Sequence, residues 1–290
     1  MCVSLCMYQF PQFGKFINTI QVIDDFDMVK LNQTAKFRLV GLGTKFFGLG
    51  IINSFTLILL AFNIRHRPMA IKQLIKYATL FILIFTIGMM MSRTTLIGAV
   101  LGLVYIFTPH VSIKGFFFNN SWKFILLVIL VPCFFIVFFM VFFPKIAEQF
   151  QSLFKFGFEL FINFNETGKA TSESTEDLKT MYIMPNNVKT YLIGDGKFAG
   201  EAGRSTSYYM GTDVGFLRLI YYFGLIGTFT YFIFQLFSLK TAMKKYNLLV
   251  LFCFSLLMIL NLKGIADFFY IAILFNIANY KPDSGLTKAL

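Results

Sequence analysis

Several charged side chains stand beside the ends of long apolar runs, where water would give way to lipid. Arg38 precedes one run in RLVGLG, Arg93 lies between two runs in SRTT, and Lys263 follows a run in NLKG. Asp213 and Arg218 flank the start of another run, in TDVGFLRLIYYFGLIG. Charges are costly inside a bilayer, so each needs water, a partner or a ligand. Because a planar guanidinium group binds phosphate oxygens through two hydrogen bonds, the four cations predict a common cavity that binds a diphosphate.

Each of these residues also has a simpler interpretation. Lys and Arg at span ends commonly extend to the lipid headgroups. Asp213 fits an N-terminal cap of the helix that follows, where the helix dipole favours an acid. In LIGDGKFAG, the sequence Gly194-Asp195-Gly196 fits a tight turn. The apolar run after Asp213 contains three glycines that are expected to let a neighbouring helix approach closely. They are Gly215, Gly224 and Gly227.

The composition places the chain among integral membrane proteins. Of its 290 residues, 57% are hydrophobic and only 14% are charged, against about 25% charged residues in soluble domains. Apolar runs long enough to cross a hydrocarbon core of about 30 Å predict an all-α, polytopic helical membrane protein with about seven spans. The predicted spans are 46–63, 75–91, 94–109, 124–143, 214–238, 247–261 and 265–280.

The distribution of Lys and Arg predicts the orientation. Four basic segments, 64–74, 110–123, 239–246 and the C-terminal tail, fall on one side, which the positive-inside rule makes cytoplasmic. The long segment 144–213 then lies outside the cytoplasm, and its seven Lys/Arg and nine Asp/Glu give a formal charge of −2. The net charge of +12 is therefore explained by topology and anionic lipid, and we expect no nucleic acid partner.

This topology divides the chain into four parts. They are an extracytoplasmic segment 1–45, spans one to four in 46–143, a large helical extracytoplasmic loop 144–213, and spans five to seven with a cytoplasmic tail in 214–290. No signal peptide is evident in 1–45. We therefore expect either that further spans precede this chain in the complete protein or that its first span inserts by itself.

The loop is predicted to be helical. Apolar residues recur at three- and four-residue steps over 146–164, which predicts an amphipathic helix on the membrane surface. Ser174 or Asp177 is expected to cap the next helix, which would run to Pro185. Residues 189–192 are expected to form a further turn. The chain shows no cluster of metal ligands and no nucleotide-binding glycine loop, so we expect no metal and no cofactor.

Four sequence segments in a fixed order resemble a known family. They are SRTTLIGAVLGLVYIF, a long loop ending in LIGDGKFAG, TDVGFLRLIYYFGLIG, and NLKG between two final spans. From about residue 36 to 280, the chain is similar to the Wzy-type O-antigen polymerases of the O-antigen ligase/polymerase superfamily. The resemblance implies a metal-independent glycosyltransferase of the cytoplasmic membrane whose active site faces outward. It would transfer a growing surface glycan from undecaprenyl diphosphate to the next lipid-linked repeat unit, and such an enzyme can have a chain-length regulator as partner.

The resemblance also implies which residues act on the substrate. Arg93 and Arg218 would stabilise the charge that develops on the departing diphosphate, with Arg38 in support. The further candidates for binding the diphosphate or the glycan are Arg204, Lys263 and Asp195.

Asp213 would act as the general base, because Asp213-Val-Gly-Phe216-Leu217 stands where ligase-type relatives carry His-Asn-x-aromatic-Leu. Three other functions stay open. A ligase that attaches finished glycan to an acceptor shares most of these segments, but the absence of an external His favours a polymerase. A flippase or exporter of lipid-linked glycans would carry basic residues inside its spans, which here have almost no charge. A membrane fragment without activity is the third alternative.

Overall fold

The computed structural model describes residues 2–20, 38–40, 46–66, 70–108, 144–198 and 208–267. These residues are mostly helical and contain no strand. By length and composition, three helices among them are able to cross a membrane, namely Phe47–His66, Ile71–Met91 and Gly215–Ser238. The helical class predicted from the sequence is confirmed for these residues, and the three apolar helices suggest a membrane protein.

Seven spans are not confirmed. Three predicted spans correspond to the three long helices, whereas two others are shorter apolar helices, Thr95–Phe107 and Tyr246–Asn261. The 13 residues of Thr95–Phe107 extend only about 20 Å, which is less than the ~30 Å of a hydrocarbon core. The span predicted at 124–143, and most of the one at 265–280, lie outside the described residues.

The chain divides into two compact units, Met1–Asp177 and Leu178–Leu290. The first contains α1 (Cys2–Gln9), α2 (Pro11–Ile20), α3 (Phe46–His66), α4 (Ile71–Met91), α5 (Thr95–Phe107) and α6 (Pro144–Thr167). Helix α7 (Glu173–Thr180) includes the boundary between the units. The second contains α8 (Val188–Leu192), a 3₁₀ turn (Tyr209–Gly211), α9 (Gly215–Ser238) and α10 (Lys240–Asn261).

Small residues in the first unit let α3 and α5 run side by side in the same direction. A methyl group added at Gly98 of α5 would overlap the backbone of Ser54 in α3, so the two helices approach closely here. Gly50, near the start of α3, lies in the same way against the side chain of Ser92, which follows α4. The start of α3, the end of α4 and the start of α5 therefore lie together at one end of this unit.

Helix α6 confirms the amphipathic helix predicted at 146–164 and is longer at both ends. Part of its apolar side packs against the last turn of α4. Leu153 is fully buried in a cluster with Met90, and Gly157 lies against the backbone of Met89. These contacts cover Leu153, whereas Phe154 and Phe161 of the predicted apolar side are 38% and 51% exposed.

The cap predicted for the next helix is wrong. Helix α7 begins directly after Ser172, whose carbonyl oxygen accepts hydrogen bonds from two backbone N–H groups of the first turn. Ser174 and Asp177 lie inside the helix, and α7 ends at Thr180 instead of continuing to Pro185. Its first turn carries two glutamates, which the positive end of the helix dipole favours.

In the second unit, α9 is interrupted at Gly224, whose φ of 68° and ψ of 179° are not helical. The N-terminal part of α9 buries Val214, Leu217 and Tyr221 in one apolar cluster. Gly215 lies directly against the backbone of the turn that follows α10. These contacts hold the first turns of α9, where two predicted site residues lie.

Candidate functional site

Arg38 and Arg93 lie on the same aromatic ring in the first unit. Their guanidinium carbons lie 5.0 Å and 4.5 Å from the centre of the Phe156 ring. Arg38 Nε also donates a 2.5 Å hydrogen bond to the carbonyl oxygen of Met91, the last residue of α4. With Glu159, these residues form the Arg38–Arg93 cluster, which comprises Arg38, Arg93, Phe156 and Glu159. Two of the predicted cations are thus brought together.

Glu159 supplies the carboxylate of this cluster. Its Oε2 accepts a 2.5 Å hydrogen bond from Arg93 Nη1, and its Oε1 accepts one of 3.1 Å from the backbone N–H of Glu173. Glu173 is the first residue of α7, so the carboxylate also meets the positive end of a helix dipole. The sequence predicted that Arg93 needs an anion, and here a side chain of the same unit provides one.

Glu159 was missed among the predicted site residues. The signal that points to it is its spacing from Phe156, because residues three apart lie on the same side of a helix. A ring and a carboxylate at this spacing make a matching surface for a guanidinium group, but the sequence does not show which arginine meets it.

Burial acts on both cations of the cluster. Loss of hydration, and then the positive charge of Arg93, lower the pKa of Arg38 from 12.5 to about 9. Burial also lowers the pKa of Arg93, whereas the ion pair with Glu159 acts in the opposite direction. Both guanidinium groups remain charged at neutral pH. Glu159 pairs with Arg93, and the negative charge of Glu173 acts on the pKa of Arg93 in the same direction.

The second unit contains a different arrangement, the Asp213–Arg218 cluster, which comprises Phe198, Tyr208, Asp213 and Arg218. Arg218 Nη1 donates a 3.1 Å hydrogen bond to Asp213 Oδ1. The guanidinium carbon lies 4.3 Å from the ring centre of Phe198 and 4.6 Å from that of Tyr208. The Arg218 side chain is 13% exposed and that of Asp213 36% exposed. The Asp213 side chain is therefore accessible in part, and the hydrogen bond from Arg218 restrains its position.

The interpretation of Asp213 as a helix cap is wrong. The N-cap residue of α9 is Val214, which makes no side-chain cap hydrogen bond. Asp213 lies one residue further out, and its carboxylate binds Arg218 instead. Because Asp213 lies outside the helix, a spacing of five residues permits an ion pair that a continuous helix would disfavour.

The Gly194-Asp195-Gly196 turn is present and is anchored on α9. Both glycines have positive φ, 84° and 66°, which few other residues adopt. The backbone N–H groups of Asp195 and Gly196 donate hydrogen bonds of 2.7 Å and 3.2 Å to the carbonyl oxygens of Tyr221 and Tyr222. These carbonyls lie just before the interruption of α9, where non-helical backbone lets an outside donor reach them.

Asp195 holds this turn with its side chain as well. Its Oδ1 accepts a 2.7 Å hydrogen bond from Thr190 Oγ1, and its Oδ2 accepts one of 3.1 Å from the Tyr209 hydroxyl. Burial, and then the hydrogen bond to Asp195, raise the pKa of Tyr209. These contacts assign Asp195 a structural role, and its binding of substrate stays a prediction.

Gly224 allows a close contact with the C-terminal end of α8 and the residue that follows it. A Cβ atom at Gly224 would overlap the carbonyl oxygen of Leu192, the last residue of α8. A Cβ atom at Gly194 would lie only 2.5 Å from the carbonyl oxygen of Tyr222. The turn and the interrupted helix thus approach each other through two glycines with positive φ.

The two remaining predicted cations, Lys263 and Arg204, belong to neither cluster. Lys263 belongs to the turn after α10, which Asn261 fixes through hydrogen bonds of its side chain to the backbone. Arg204 lies outside the described residues. The four cations predicted to share one cavity belong to two units, two in each. A cavity common to all four therefore stays a prediction.

No family model matches this chain, and searches among characterised proteins and solved structures find no match either. The function must therefore be inferred from the two clusters and from the sequence segments that resemble O-antigen polymerases.

Proposed function

We propose that the chain polymerises undecaprenyl-diphosphate-linked oligosaccharide repeat units into a surface polysaccharide such as O-antigen or capsule. The reaction is a metal-independent glycosyl transfer at the outer face of the cytoplasmic membrane. The membrane, its orientation and the number of spans belong to this proposal. The resemblance of four sequence segments motivates it, and the chemistry of the two clusters supports it.

The Arg38–Arg93 cluster carries the proposal. Two guanidinium groups lie on one ring beside the end of α4, a helix able to cross a membrane. Two adjacent cations next to lipid favour the binding of an anion. A lipid-linked diphosphate offers that anion at this depth, because its polyprenyl chain stays in the bilayer. Forked guanidinium donors fit phosphate oxygens in geometry and charge.

The reaction needs two kinds of assistance. A hydroxyl of the acceptor sugar attacks the anomeric carbon of the donor, and a glycosidic bond forms as the carbon–oxygen bond to the diphosphate breaks. Undecaprenyl diphosphate leaves with the electron pair, and Arg38 and Arg93 stabilise its charge. The hydroxyl proton passes to a general base, a role for which the resemblance gives Asp213, and the ion pair with Arg218 orients that carboxylate.

The glycan ladder of a strain that lacks its own polymerase tests this function. Expression of the chain should restore a ladder of repeat units, and Arg93→Ala or Asp213→Asn should reduce polymer at least about 100-fold. Arg65→Ala is the matched control. Arg65 also donates to a backbone carbonyl, that of Tyr105 at 2.8 Å, and stacks on the Tyr105 ring at 5.1 Å, but it lies at the opposite end of α3. This control should keep the ladder.

Three results would overturn the proposal. One is a membrane-inserted wild-type chain that restores no ladder, and another is a normal ladder from inserted Arg93→Ala and Asp213→Asn. The third is a loss of single repeat units from the outer face, which would identify a flippase. Immunoblots of washed membranes establish insertion for every variant.

A further inference from the structure

Helix α2 exposes an apolar surface that no described part of the chain covers. Phe10, Phe13 and Phe16 are 60%, 37% and 60% exposed. At about 100° per residue, Phe13 and Phe16 lie on one side of α2, whereas Lys15 and Thr19 lie on another exposed side. The helix is thus amphipathic, with both its apolar and its polar side open to the surroundings.

The third side of α2 is fixed to α1. Gly14 is buried, and a methyl group there would lie 3.2 Å from the carbonyl oxygen of Met7. The backbone N–H of Gly14 donates to the carbonyl oxygen of Phe10, and that of Phe10 donates to the carbonyl oxygen of Cys6, which joins the two helices without a loop. Helix α1 therefore determines the position of α2.

Helix α1 is in turn attached to the end of a helix that is able to cross a membrane. Tyr8 packs against the buried cluster that contains Leu39, Met90 and Met91. Met90 and Met91 are the last two residues of α4. Because the end of a spanning helix lies where hydrocarbon meets headgroups, α1 and α2 are held at that depth.

Exposed apolar side chains of the spanning helices lie at the same membrane depth as α2. Ile52, in the second turn of α3, is 52% exposed, and the neighbouring Gly50 lies against Ser92 just beyond α4. The apolar surface of the spanning helices thus continues to the depth at which α2 is attached. One bilayer would cover both surfaces, and a separate partner for α2 is not needed.

We infer that α2 is an interfacial helix that binds the phospholipid bilayer in which this chain is embedded. Phe10, Phe13 and Phe16 insert between the headgroups and the upper part of the acyl chains, as apolar sides of interfacial helices do. Lys15 extends from the polar side to the lipid phosphates. This inference rests on the proposed insertion of the chain in a membrane, but it does not depend on the proposed glycosyl transfer.

Tryptophan fluorescence of the full chain in phosphatidylcholine vesicles tests it. The chain has one tryptophan, Trp122, so Trp122→Phe provides the background for single probes. Phe13→Trp places a probe on the apolar side of α2, and Thr19→Trp places the matched control about 120° around the same helix. Vesicles with lipids brominated near the headgroup end of the acyl chain should quench Phe13→Trp by about half and Thr19→Trp much less.

Aqueous acrylamide completes the test. We expect it to quench Thr19→Trp more strongly than Phe13→Trp. If acrylamide reaches Phe13→Trp and the brominated lipid does not, α2 lies in water and the inference is wrong. If neither quencher reaches Phe13→Trp, a protein surface such as a second copy of this chain covers it, and the inference is also wrong. A normal glycan ladder or its absence changes none of these outcomes.

Discussion

The two arginine clusters use the same kinds of groups but differ in the number of cations on one ring. Each places a guanidinium group on aromatic rings and pairs it with a carboxylate. In the Arg38–Arg93 cluster two guanidinium groups lie on the Phe156 ring, whereas in the other the single guanidinium group of Arg218 lies on two rings and pairs with Asp213. Two adjacent cations suit an anionic ligand, and a partly exposed carboxylate suits a neutral hydroxyl. The difference favours separate roles in anion binding and proton transfer.

The clusters also differ in what holds them. Phe156 and Glu159 lie on either side of Phe158, where the backbone of α6 is not helical, and Gly157 lets α6 pack closely on α4. In the second unit, Phe198 and Tyr208 come from segments outside helices. There the turn at Gly194 is joined to α9 at its interruption. Helix packing therefore supports the first cluster, and a glycine-dependent loop contact supports the second.

The largest effect is expected when that loop contact is broken. Gly194→Ala combines a positive φ with a clash against the backbone of α9, whereas Gly196→Ala adds a methyl group at a positive φ with nothing within 4 Å. Both should show strain, but Gly194→Ala should lose about 1–3 kcal/mol more of the free energy of unfolding. Cys253 is fully buried in the second unit, so its labelling by a thiol reagent in denaturant, with the other cysteines changed to serine, measures this difference.

Equal losses in the two variants would show that backbone strain alone matters. The close contact between the turn and α9 would then not stabilise the second unit. Gly224→Ala should resemble Gly194→Ala, because its Cβ atom would meet the other side of the same contact.

The next effect concerns charge. Glu159→Gln removes the carboxylate that pairs with Arg93, which has Arg38 beside it on the same ring, whereas Asp213→Asn removes the carboxylate that pairs with Arg218. The affinity for inorganic pyrophosphate at low salt should rise about tenfold in Glu159→Gln and clearly less in Asp213→Asn. Titration calorimetry of the purified chain in detergent measures both. If the two variants gain equally, the Arg38–Arg93 cluster does not select for anions more than the other cluster does.

The sequence predicts the helices well where one pattern dominates. Continuous apolar runs identify α3, α4 and α9 because lipid imposes the same requirement on every residue. The glycine spacing Gly98-x₃-Gly102 in α5 indicates a close helix contact, but not which helix is contacted. Which helix packs against α5 depends on tertiary structure, and the residue pattern of a single segment does not reveal it.

The candidate site was predicted less completely for a similar reason. Charges at span ends identify Arg93 and Asp213, because their position alone makes them unusual. Glu159 lies within the predicted amphipathic helix and not at the end of a predicted span, so its position in the sequence does not mark it as unusual. Asp213 resembles a cap until the structure shows that α9 begins one residue later than a cap there would require. The first residue of α9 decides whether Asp213 caps the helix or forms an ion pair. Helix ends are the part of a helix that a sequence predicts least well.

The smallest effect is expected at the N-terminal cap of α8. This cap supports the turn at Gly194, and the turn supports the Asp213–Arg218 cluster. Asn187 Oδ1 accepts a 2.6 Å hydrogen bond from the backbone N–H of Thr190, the residue whose hydroxyl group holds Asp195. Asn187→Ala should lower the free energy of unfolding by about 1 kcal/mol, measured by the labelling of Cys253. Asn186→Ala, at the adjacent exposed asparagine, should change it by less than about 0.5 kcal/mol. If both variants change the free energy of unfolding equally, the cap does not stabilise the turn that contains Asp195. The Asp213–Arg218 cluster would then depend on the contact between Gly194 and Gly224.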